Sequence, residues 1–600
     1  PSPPVLVPPL PHWHSELYLQ LHRGCYTAHA DQKYWNRRCE ALLYEAELWS
    51  SLATVLKGTA YPKTEIETTW KTVLFNQFHD ILPGSSIAAV YEQVNPQWQQ
   101  AAETSESLIQ AAITALSQAI QLPEPPTPDS IPVVIFNSLN WDRAGAIALP
   151  IPPPHHAIPH WHIQTTDGQT LPYQFQTHDG SNPHLLIQTP TIPGVGYQQI
   201  WLTPVVERTK NEERGTKGQD IQNSTLKPPP LSNSLTLQNA TLQVTIDAET
   251  GEIQQIYDQV NGRSLLCAPG NQLLAFQDSG EYWDAWNIAP NYLEHPLPPA
   301  QLVSIAWIAD GPVEQRLRVV RRLGRSTFSQ DYVLEGHSAL LRIETVVDWC
   351  DRHTVVKAAF PLTFSADAVT YDMPAGAIQR PTRPTTPEEK AQWEVPGLGW
   401  ADLTATDSTE NNYGFSILSD YKHGYSATPH ELRLTLLRGP MWPEVDADRG
   451  THRFCYAIYP HAGDWQAAQT VHQSYGLRHP LRAVSVGQPL LSQPRPDGLP
   501  HQATLLNIAG EQFILRSLKQ SETDPQRWVI RGYECHGTAG RLPIPTIGGQ
   551  CRVTDLQPCN ILESPMLESA IPLIDPENRS LILRSWGIHS WTFRLTNGMP

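Results

Sequence analysis

The sequence Trp70-Lys71-Thr72-Val73-Leu74-Phe75-Asn76-Gln77-Phe78-His79-Asp80-Ile81-Leu82-Pro83-Gly84-Ser85-Ser86-Ile87 joins an apolar helix pattern to a His-Asp pair just before a Pro-Gly break. Trp70, Leu74 and Phe78 recur every four residues, which is the spacing of side chains on one face of a helix. We therefore expect these three side chains to form one buried stripe. The Pro-Gly pair ends the helical pattern.

His79 and Asp80 are the candidate chemical groups of this stretch. A neutral imidazole is a common zinc ligand, and a carboxylate accepts hydrogen bonds from sugar hydroxyls. Adjacent helical residues point roughly 100° apart, so the pair suits one metal ligand plus one substrate contact better than two ligands of one ion. An isolated pair of this kind is more often a helix-terminal histidine beside a turn aspartate. No second metal ligand follows at short spacing, so the residues alone leave both interpretations open.

The chain changes from a helical to a β pattern after residue 121. The run Asn36–Trp49 has no Gly or Pro and repeats apolar residues at helical spacing, and a third helix is predicted near Ala101–Ile120. From Ile131 onward, short alternating strands indicate antiparallel sandwiches. We predict an α+β multidomain protein in which a three-helix domain precedes large antiparallel β-sandwich domains. The predicted divisions are a helical domain at 12–121, a small β domain at 131–203, a disordered insertion or linker at 204–232, a large β-sandwich at 233–480 and a C-terminal β domain at 500–597.

The composition argues against several classes of function. The formal net charge is −17 and no basic block is present, so a nucleic-acid partner is not expected. No window of about 18 apolar residues occurs, so neither a membrane span nor a membrane partner is expected. The eight cysteines include no Cys-x-x-Cys pair. This argues against a zinc ribbon or a disulfide scaffold and predicts buried free thiols in a reducing, cytoplasmic compartment.

The stretch Asn76–Ser86 resembles the signature of glycoside hydrolase family 38, the α-mannosidases. Further segments resemble the family in the same order, and the likeness runs over nearly the whole chain, most strongly from residue 12 to 475. It is nearest to the bacterial and cytosolic-type branch. The other matching segments are Glu16–Thr27, Asn36–Arg38, Phe136–Arg143, Tyr282–Trp286, Val347–Trp349 with Phe360–Pro361, Glu394–Pro396 with Trp400–Leu403, and Tyr459–Trp465.

The resemblance implies retaining, zinc-dependent hydrolysis of terminal α-D-mannosyl residues. Family members have an N-terminal β/α catalytic barrel, a three-helix middle domain and C-terminal β-sandwiches. Carried over to this chain, His79 ligates zinc and Asp80 contacts sugar hydroxyls. In the family, one carboxylate attacks the anomeric carbon while another protonates the leaving oxygen. Zinc binds the vicinal cis-hydroxyls of mannose.

The chain departs from the family in starting where the barrel ends. The nucleophile, the general acid and the other zinc ligands are not among these residues, so we predict no catalytic residue here and expect the isolated chain to be inactive. Pro1–Pro11 lacks the basic region of a signal peptide and the first residue is not Met, which predicts the downstream part of something longer. The expected partners are a mannoside or oligosaccharide substrate and the catalytic barrel, fused or separately encoded. The sequence does not decide whether the chain forms a homo-oligomer.

Three other groups of residues are weaker candidates. By the resemblance, His22 lines the sugar pocket and Arg23 pairs with a carboxylate near the mouth of the site; the alternative is a salt bridge at a helix start. The four histidines between residues 155 and 162 have a metal-like spacing, but they lie among prolines, which favours a surface loop. Asp284 and Trp286 lie in a Trp-rich matching segment and are candidates for sugar contact, although most tryptophans are expected in the core.

A second class of function stays open, namely a non-catalytic carbohydrate-binding or assembly subunit left by truncation. The coding sequence immediately upstream of Pro1 discriminates between the two. A barrel with a His-x-Asp motif supports the enzyme, whereas a stop codon and unrelated sequence support the remnant.

Overall fold

A computed structural model describes most of the chain. The described residues are 12–13, 16–151, 155, 158–176, 183–205, 235–279, 283–406, 412–486, 498–508, 510–549, 551–566, 574–575 and 580–597. The insertion predicted at 204–232 lies outside them except for its first two residues.

Three long helices form the first part of the described chain, as the sequence predicts. The first ends at Gly58, whose left-handed backbone (φ 69°) lets its N–H bond to the carbonyl of Thr54 at 2.9 Å. The third begins at Ala88, earlier than predicted, and contains Pro96. No helix in the described part is long and apolar enough to cross a membrane. The helices are α1 (Ala30–Lys57), α2 (Lys63–Asn76), α3 (Ala88–Ser117), α4 (Pro387–Lys390) and α5 (Thr470–Arg478), with 3-10 turns at Gly24–Tyr26 and Tyr292–Glu294.

Helix α2 buries a different face from the one that the sequence predicts. Leu74 and Phe78 are 58% and 51% exposed, and Trp70 is half-buried, so the predicted buried stripe is wrong. The helix has two adjacent apolar faces, and it packs on α1 and α3 through the other one. The buried face carries Ile66, Thr69 and Val73.

The first β region forms two antiparallel sheets that share a core. Strand β1 pairs with β6, β6 with β3, and a second sheet has the order β2-β5-β4. Ile135, Ile163 and Ile187 are fully buried between them. The strands are β1 (Ile131–Asn137), β2 (Ala146–Pro150), β3 (Trp161–Thr165), β4 (Tyr173–Gln176), β5 (His184–Gln188) and β6 (Gly196–Pro204).

The second β region is a large antiparallel sandwich. Its strands are β7 (Thr236–Gln238), β8 (Leu242–Ile246), β9 (Ile253–Asp258), β10 (Arg263–Ser264), β11 (Gln272–Gln277), β12 (Gln301–Asp310), β13 (Glu314–Leu323), β14 (Ser326–Glu335), β15 (Leu341–Trp349), β16 (Thr354–Pro361), β17 (Ala368–Met373), β18 (Gly376–Pro381), β19 (Val395–Pro396), β20 (Trp400–Thr406), β21 (Asn412–Ser419), β22 (Gly424–Thr428), β23 (Glu431–Arg438) and β24 (Gly450–Ala462). Within the described ranges, nine strands form the order β12-β13-β14-β15-β24-β21-β20-β17-β18 and five form β11-β16-β23-β22-β19. The rings of Phe360 and Phe415, one from each sheet, lie 5.6 Å apart in the shared core. A third sheet has the order β10-β9-β8-β7.

The last strands divide between the first β region and a C-terminal sandwich. They are β25 (Arg482–Ser485), β26 (Gln502–Thr504), β27 (Leu506–Asn507), β28 (Phe513–Gln520), β29 (Arg527–Glu534), β30 (Gly540–Pro543), β31 (Thr546–Ile547), β32 (Cys551–Pro558), β33 (Ile574–Asp575), β34 (Ser580–Leu583) and β35 (Ile588–Asn597). Strand β25 pairs with β1, and β26 pairs with β6. The remaining strands form the orders β27-β31-β32-β35-β29-β28 and β30-β34-β33.

The helices share one hydrophobic core with the C-terminal sheet. Trp49 and Leu52 of α1 belong to the same buried cluster as Leu515 and Phe593. Ser51 Oγ on α1 donates to the carbonyl of Leu518 at 2.8 Å. The predicted α+β multidomain fold is therefore confirmed, while the boundaries given for the domains stay predictions.

Candidate functional site

His79 and Asp80 lie in the turn after α2, and both side chains are exposed. The exposed fractions of the side chains are 78% and 57%, and His79 Nε2 lies 3.7 Å from Asp80 Oδ2. The imidazole is tilted against the ring of Phe78, with centroids 4.2 Å apart. Both groups thus stand at a corner of the helical unit where a molecule outside the chain can reach them.

Contacts with Ala28 and Lys33 fix the turn that carries this pair. Gly84 has φ +80°, and a Cβ at this position would collide with the carbonyl oxygen of Ala28. Only glycine combines that backbone conformation with that close approach. Buried Lys33 donates its Nζ to the carbonyl of Leu82 at 2.8 Å, which ties α1 to the same turn. The Pro-Gly signal predicted the helix end, but not this packing requirement.

Zinc fits these residues only with ligands from elsewhere. Within the described ranges, no three His, Cys, Asp or Glu side chains are grouped so that they could hold an ion. A catalytic zinc takes three protein ligands and keeps a fourth position for water or substrate. The exposed imidazole of His79 suits one of those positions. Of the histidines between residues 155 and 162, His162 is exposed on β3, and His156 lies outside the described residues.

Arg23 is buried, with amide oxygens and an indole around it. It is 2% exposed, and its guanidinium lies 3.3 Å from the ring centroid of Trp393. Its Nε donates to the carbonyl of Ala391 at 3.0 Å and its Nη1 to Asn287 Oδ1 at 3.4 Å. No carboxylate is among the acceptors that it has in the described part of the chain. His22, the residue before it, is half-buried. The predicted substrate contacts of both residues stay predictions.

The Trp-rich loop after β11 forms an aromatic cluster at the surface. The rings of Trp283, Trp286 and Trp442 lie 5.3 to 5.8 Å from one another. Trp283 and Trp442 are about half exposed, at 53% and 48%. Asp284, by contrast, is buried and accepts the N–H of Met441 at 2.6 Å, and burial raises the pKa of its carboxyl group. The indoles therefore offer an accessible surface, whereas Asp284 holds the loop in place.

Sequence reasoning missed the buried arginine that organises this loop. Arg438, at the end of β23, donates from Nε to Asp278 Oδ2 at 2.9 Å and from Nη2 to the carbonyl of Asn287 at 2.9 Å. Its side chain is 1% exposed. Burial alone lowers the pKa of Arg438, but the carboxylates of Asp278 and Asp284 outweigh burial and raise it. A signal existed, since a charged residue that ends a buried apolar strand requires partners of opposite charge.

A buried histidine behind the turn was also missed. His29 Nδ1 lies 3.3 Å from Asp31, and Nε2 lies 3.1 Å from Glu444. Its ring stacks on Tyr91 of α3 with centroids 3.8 Å apart, and its backbone N–H donates to Asp448 at 2.8 Å. Burial alone lowers the pKa of His29, but the neighbouring carboxylates of Asp31 and Glu444 outweigh it and raise the pKa to about 9. The partners are far apart in sequence, so no local pattern revealed them.

Large apolar side chains are exposed around the His79 turn. The backbone N–H of Gly24 bonds to the carbonyl of Trp286 at 2.7 Å, and His29 reaches Glu444, so the segments that carry these side chains adjoin one another. Each residue is between 48% and 80% exposed. We call this set the exposed apolar face, and its members are Leu17, Leu19, Leu21, Leu74, Phe75, Phe78, Ile87, Trp283, Trp442 and Val445.

Three family profiles match the chain in order. The alpha mannosidase middle domain matches residues 20–116. The glycosyl hydrolases family 38 C-terminal domain matches residues 237–446. The glycosyl hydrolases family 38 C-terminal beta sandwich domain matches residues 512–591.

Relatives and solved structures agree with these profiles. The chain is 31% identical over 534 residues to human alpha-mannosidase 2C1, covering 88% of this chain and 46% of that protein. It is 28% identical over 567 residues to alpha-mannosidase G of Dictyostelium discoideum, covering 89% and 49%. The chain therefore spans slightly less than half the length of these curated relatives.

Among solved structures, a glycosyl hydrolase family 38 protein from Enterococcus faecalis superposes with a TM-score of 0.73 at 17% identity, covering 95% of this chain and 71% of that one. An alpha-mannosidase from Enterococcus faecalis V583 superposes with the same TM-score at 16% identity, covering 95% and 68%. At these identities the likeness concerns the fold. The chain carries the middle and C-terminal domains of glycosyl hydrolase family 38 and belongs to that family.

Proposed function

We propose that this chain is the middle and C-terminal part of a zinc-dependent, retaining α-mannosidase that acts on terminal α-D-mannosyl residues. The nucleophile and the general acid lie in an N-terminal catalytic barrel, fused to this chain or separately encoded. The family membership supports the reaction class, and the incomplete coverage of the relatives supports a division of the site between two segments.

The observation that carries the proposal is the position of His79 and Asp80 beside the exposed apolar face. Large apolar side chains exposed on adjoining segments are typical of an interaction site. A barrel that covers this face would bring its zinc ligands and its catalytic carboxylates close to His79 and Asp80. Desolvation of those apolar side chains then contributes to the association.

Each predicted site residue has a role in this arrangement. His79 supplies one of the zinc ligands, and Asp80 accepts hydrogen bonds from sugar hydroxyls. Zinc, when bound, supplies a Lewis acid for the vicinal hydroxyls of mannose. His22 borders the sugar site, while Arg23 supports it through the contact with Trp393. Asp284 fixes the loop that presents Trp283 and Trp286.

A second candidate is a non-catalytic carbohydrate-binding subunit. The half-exposed indoles of Trp283 and Trp442 favour it, since flat aromatic faces accept the apolar face of a pyranose. In that case the chain binds saccharides without a catalytic barrel, and mixing it with the upstream-encoded polypeptide gives no mannosidase activity.

We place the protein in the cytoplasm. All eight cysteines are free, which supports a reducing compartment. The expectation of buried thiols holds for Cys39, Cys535 and Cys559, whereas Cys267 is exposed.

The proposal is tested by co-expression with the polypeptide encoded immediately upstream. We expect the two to co-purify as one complex and to hydrolyse an aryl α-mannoside when zinc is present. Phe75→Ser on the exposed apolar face should weaken the complex, whereas Lys71→Ser, on the same helix but charged and exposed, should not. Unrelated upstream sequence, or a complex without mannosidase activity, would contradict the proposal.

A further inference from the structure

Two backbone hydrogen bonds close the turn that carries His79 and Asp80. The N–H groups of Ile81 and Leu82 both donate to the carbonyl of Phe78, at 2.9 and 3.1 Å. The side chains of His79 and Asp80 are exposed, so burial does not fix them. Their positions therefore depend on how the two ends of this turn are held.

One face of helix α1 holds both ends of the turn. Before His79, Gln77 Nε2 donates to Asn36 Oδ1 at 2.9 Å. After it, Lys33 Nζ donates to the carbonyl of Leu82 at 2.8 Å. Lys33 and Asn36 are three residues apart, which is the spacing of neighbours on one helix face. A single helix thus defines where the turn begins and where it ends.

Helix α1 is itself fixed to the large sandwich. Asp448, which lies before β24, accepts the backbone N–H groups of His29 and Ala30 at 2.8 Å each. These groups stand at the N-terminus of α1, where free N–H groups and the helix dipole favour a carboxylate. The contacts therefore run from the sandwich, through the start of α1, to the turn with His79.

Lys33 is a costly residue at this position. It is 4% exposed, and burial lowers the pKa of its amine to about 8. Among the described residues, the amine donates to the carbonyls of Ala28 and Leu82 and not to a carboxylate. Burial of an ammonium without a carboxylate beside it costs stability, whereas a methionine fills a similar space without a charge. This cost favours a role for the two carbonyl contacts that goes beyond packing.

We propose that Lys33 and Asn36 are positioning residues for the zinc ligand, because from α1 they hold the His79 turn in the conformation that binds the metal. The inference rests on the proposed function for the identity of that metal. A loose turn loses conformational entropy when its histidine binds zinc, and this loss weakens binding. A turn held at both ends has already lost that entropy on folding. Groups that orient a metal ligand typically change the metal affinity by about 10- to 100-fold.

The first test is hydrogen–deuterium exchange of residues 77–84 in this chain alone. Lys33→Met removes the bond to Leu82, and Gln77→Ala removes the bond to Asn36. We expect exchange to be about fivefold faster or more in each variant. Gln77 is only half-buried, so Gln77→Ala keeps the test decisive even if Lys33→Met does not fold.

The second test is the zinc affinity of the assembly with the upstream-encoded polypeptide, measured by competition with a chelator. We expect each variant to raise the Kd for zinc about tenfold or more.

Two controls separate positioning from a general loss of stability. Lys71→Met alters a lysine that is 72% exposed on α2, and it should change neither exchange nor zinc affinity. Ile109→Ala removes a fully buried side chain of α3. It should lower the melting temperature but leave the Kd for zinc unchanged.

The outcomes distinguish this inference from the proposed function. A parent assembly that binds no zinc would contradict the proposed function, and the exchange result alone would then decide the inference. Unchanged exchange in the folded variants would overturn it. Faster exchange with an unchanged Kd for zinc would also overturn it, since the turn would then need no positioning. An equal rise in Kd for Ile109→Ala would reduce the effect to stability and overturn it as well.

Discussion

His29 joins three parts of the molecule through one imidazole. It pairs with Asp31 of α1 and with Glu444 before β24, and it stacks on Tyr91 of α3. The hydroxyl of Tyr91 accepts the N–H of Ser86, so the chain that follows the His79 turn depends on the same group. A change of charge on His29 is therefore expected to affect both the stability of the chain and the order of that turn.

We predict that the contribution of His29 to stability is lost in alkaline solution. The buried amines of Lys33 and Lys422, whose pKa values burial lowers to about 8, change stability in the opposite direction, so the parent chain is compared with His29→Gln. The pKa of His29 is raised to about 9 in the folded chain from an ordinary value of 6.5, so its contribution is fully present below pH 6.5 and is lost as the pH rises through 9. The loss is on the order of 2–3 kcal/mol. Urea midpoints at pH 6.5 and 9.5 measure it. The stability difference between the parent and His29→Gln should be larger at pH 6.5 than at pH 9.5, whereas His162→Gln, exposed on β3, should match the parent at both pH values.

Arg23 is predicted to act on stability as well as on the site. Arg23→Lys keeps the charge but loses the planar contact with Trp393 and the forked bonds to Ala391. We expect the chain to lose about 2 kcal/mol of unfolding free energy, measured by urea unfolding. Arg325 is exposed, so Arg325→Lys serves as the control and should leave the free energy of unfolding unchanged. An Arg23→Lys chain as stable as the parent would show that the side chain is not the packing element described above.

At the level of single residues, the sequence predicts a candidate pair but not the residues packed behind it. The His79-Asp80 pair and its turn could be found from a local pattern and a family resemblance. The groups behind it, Arg438 and His29, could not, because their partners are brought together only by the tertiary fold.

Helix α2 shows how two adjacent apolar faces mislead a reading by periodicity. The spacing of Trp70, Leu74 and Phe78 is helical, but so is that of Ile66, Thr69 and Val73. Which face is buried depends on where α1 and α3 lie, and this information is not in α2. The exposed side chains of Leu74, Phe75 and Phe78 then become informative in themselves, because large apolar side chains grouped in water are typical of an interaction site.

We predict that two substitutions on this helix change stability by very different amounts. Val73 is fully buried, so Val73→Ala should cost about 2 kcal/mol of unfolding free energy. Phe75 is 66% exposed, so Phe75→Ala should change the stability of the isolated chain by less than about 0.5 kcal/mol. Thermal and urea unfolding of the two variants provide the comparison. A large loss for Phe75→Ala would mean that its ring is already packed within this chain.

Over the whole molecule, strands that are neighbours in a sheet are often far apart in the sequence. The sequence correctly predicted helices followed by antiparallel sandwiches, since periodicity is a local signal. It could not predict that β25 and β26 return to the sheet of β1 and β6, or that the C-terminal sheet shares a core with α1. Such contacts join residues hundreds of positions apart, so no short stretch of sequence carries a pattern that predicts them.

This shared core predicts that the helices depend on the C-terminal sheet. Removal of residues 487–600 takes away β28 and β35, whose buried side chains pack with Trp49 and Leu52. We expect the truncated chain to lose helical circular dichroism at 222 nm at 37 °C. In the full chain, helical dichroism and tryptophan fluorescence should report the same unfolding midpoint. A truncated chain with full helicity and an unchanged midpoint would show that the helices fold independently.

The most direct measurement of the central claim is the zinc-dependent hydrolysis of an aryl α-mannoside by this chain together with the upstream-encoded polypeptide, compared between the parent chain and His79→Ala. Because the His79 side chain is 78% exposed, the substitution should leave the melting temperature unchanged. We predict that the parent assembly is active, that His79→Ala lowers activity at least about 100-fold, and that the control His162→Ala is fully active. An inactive parent assembly, or full activity of His79→Ala, would contradict the account.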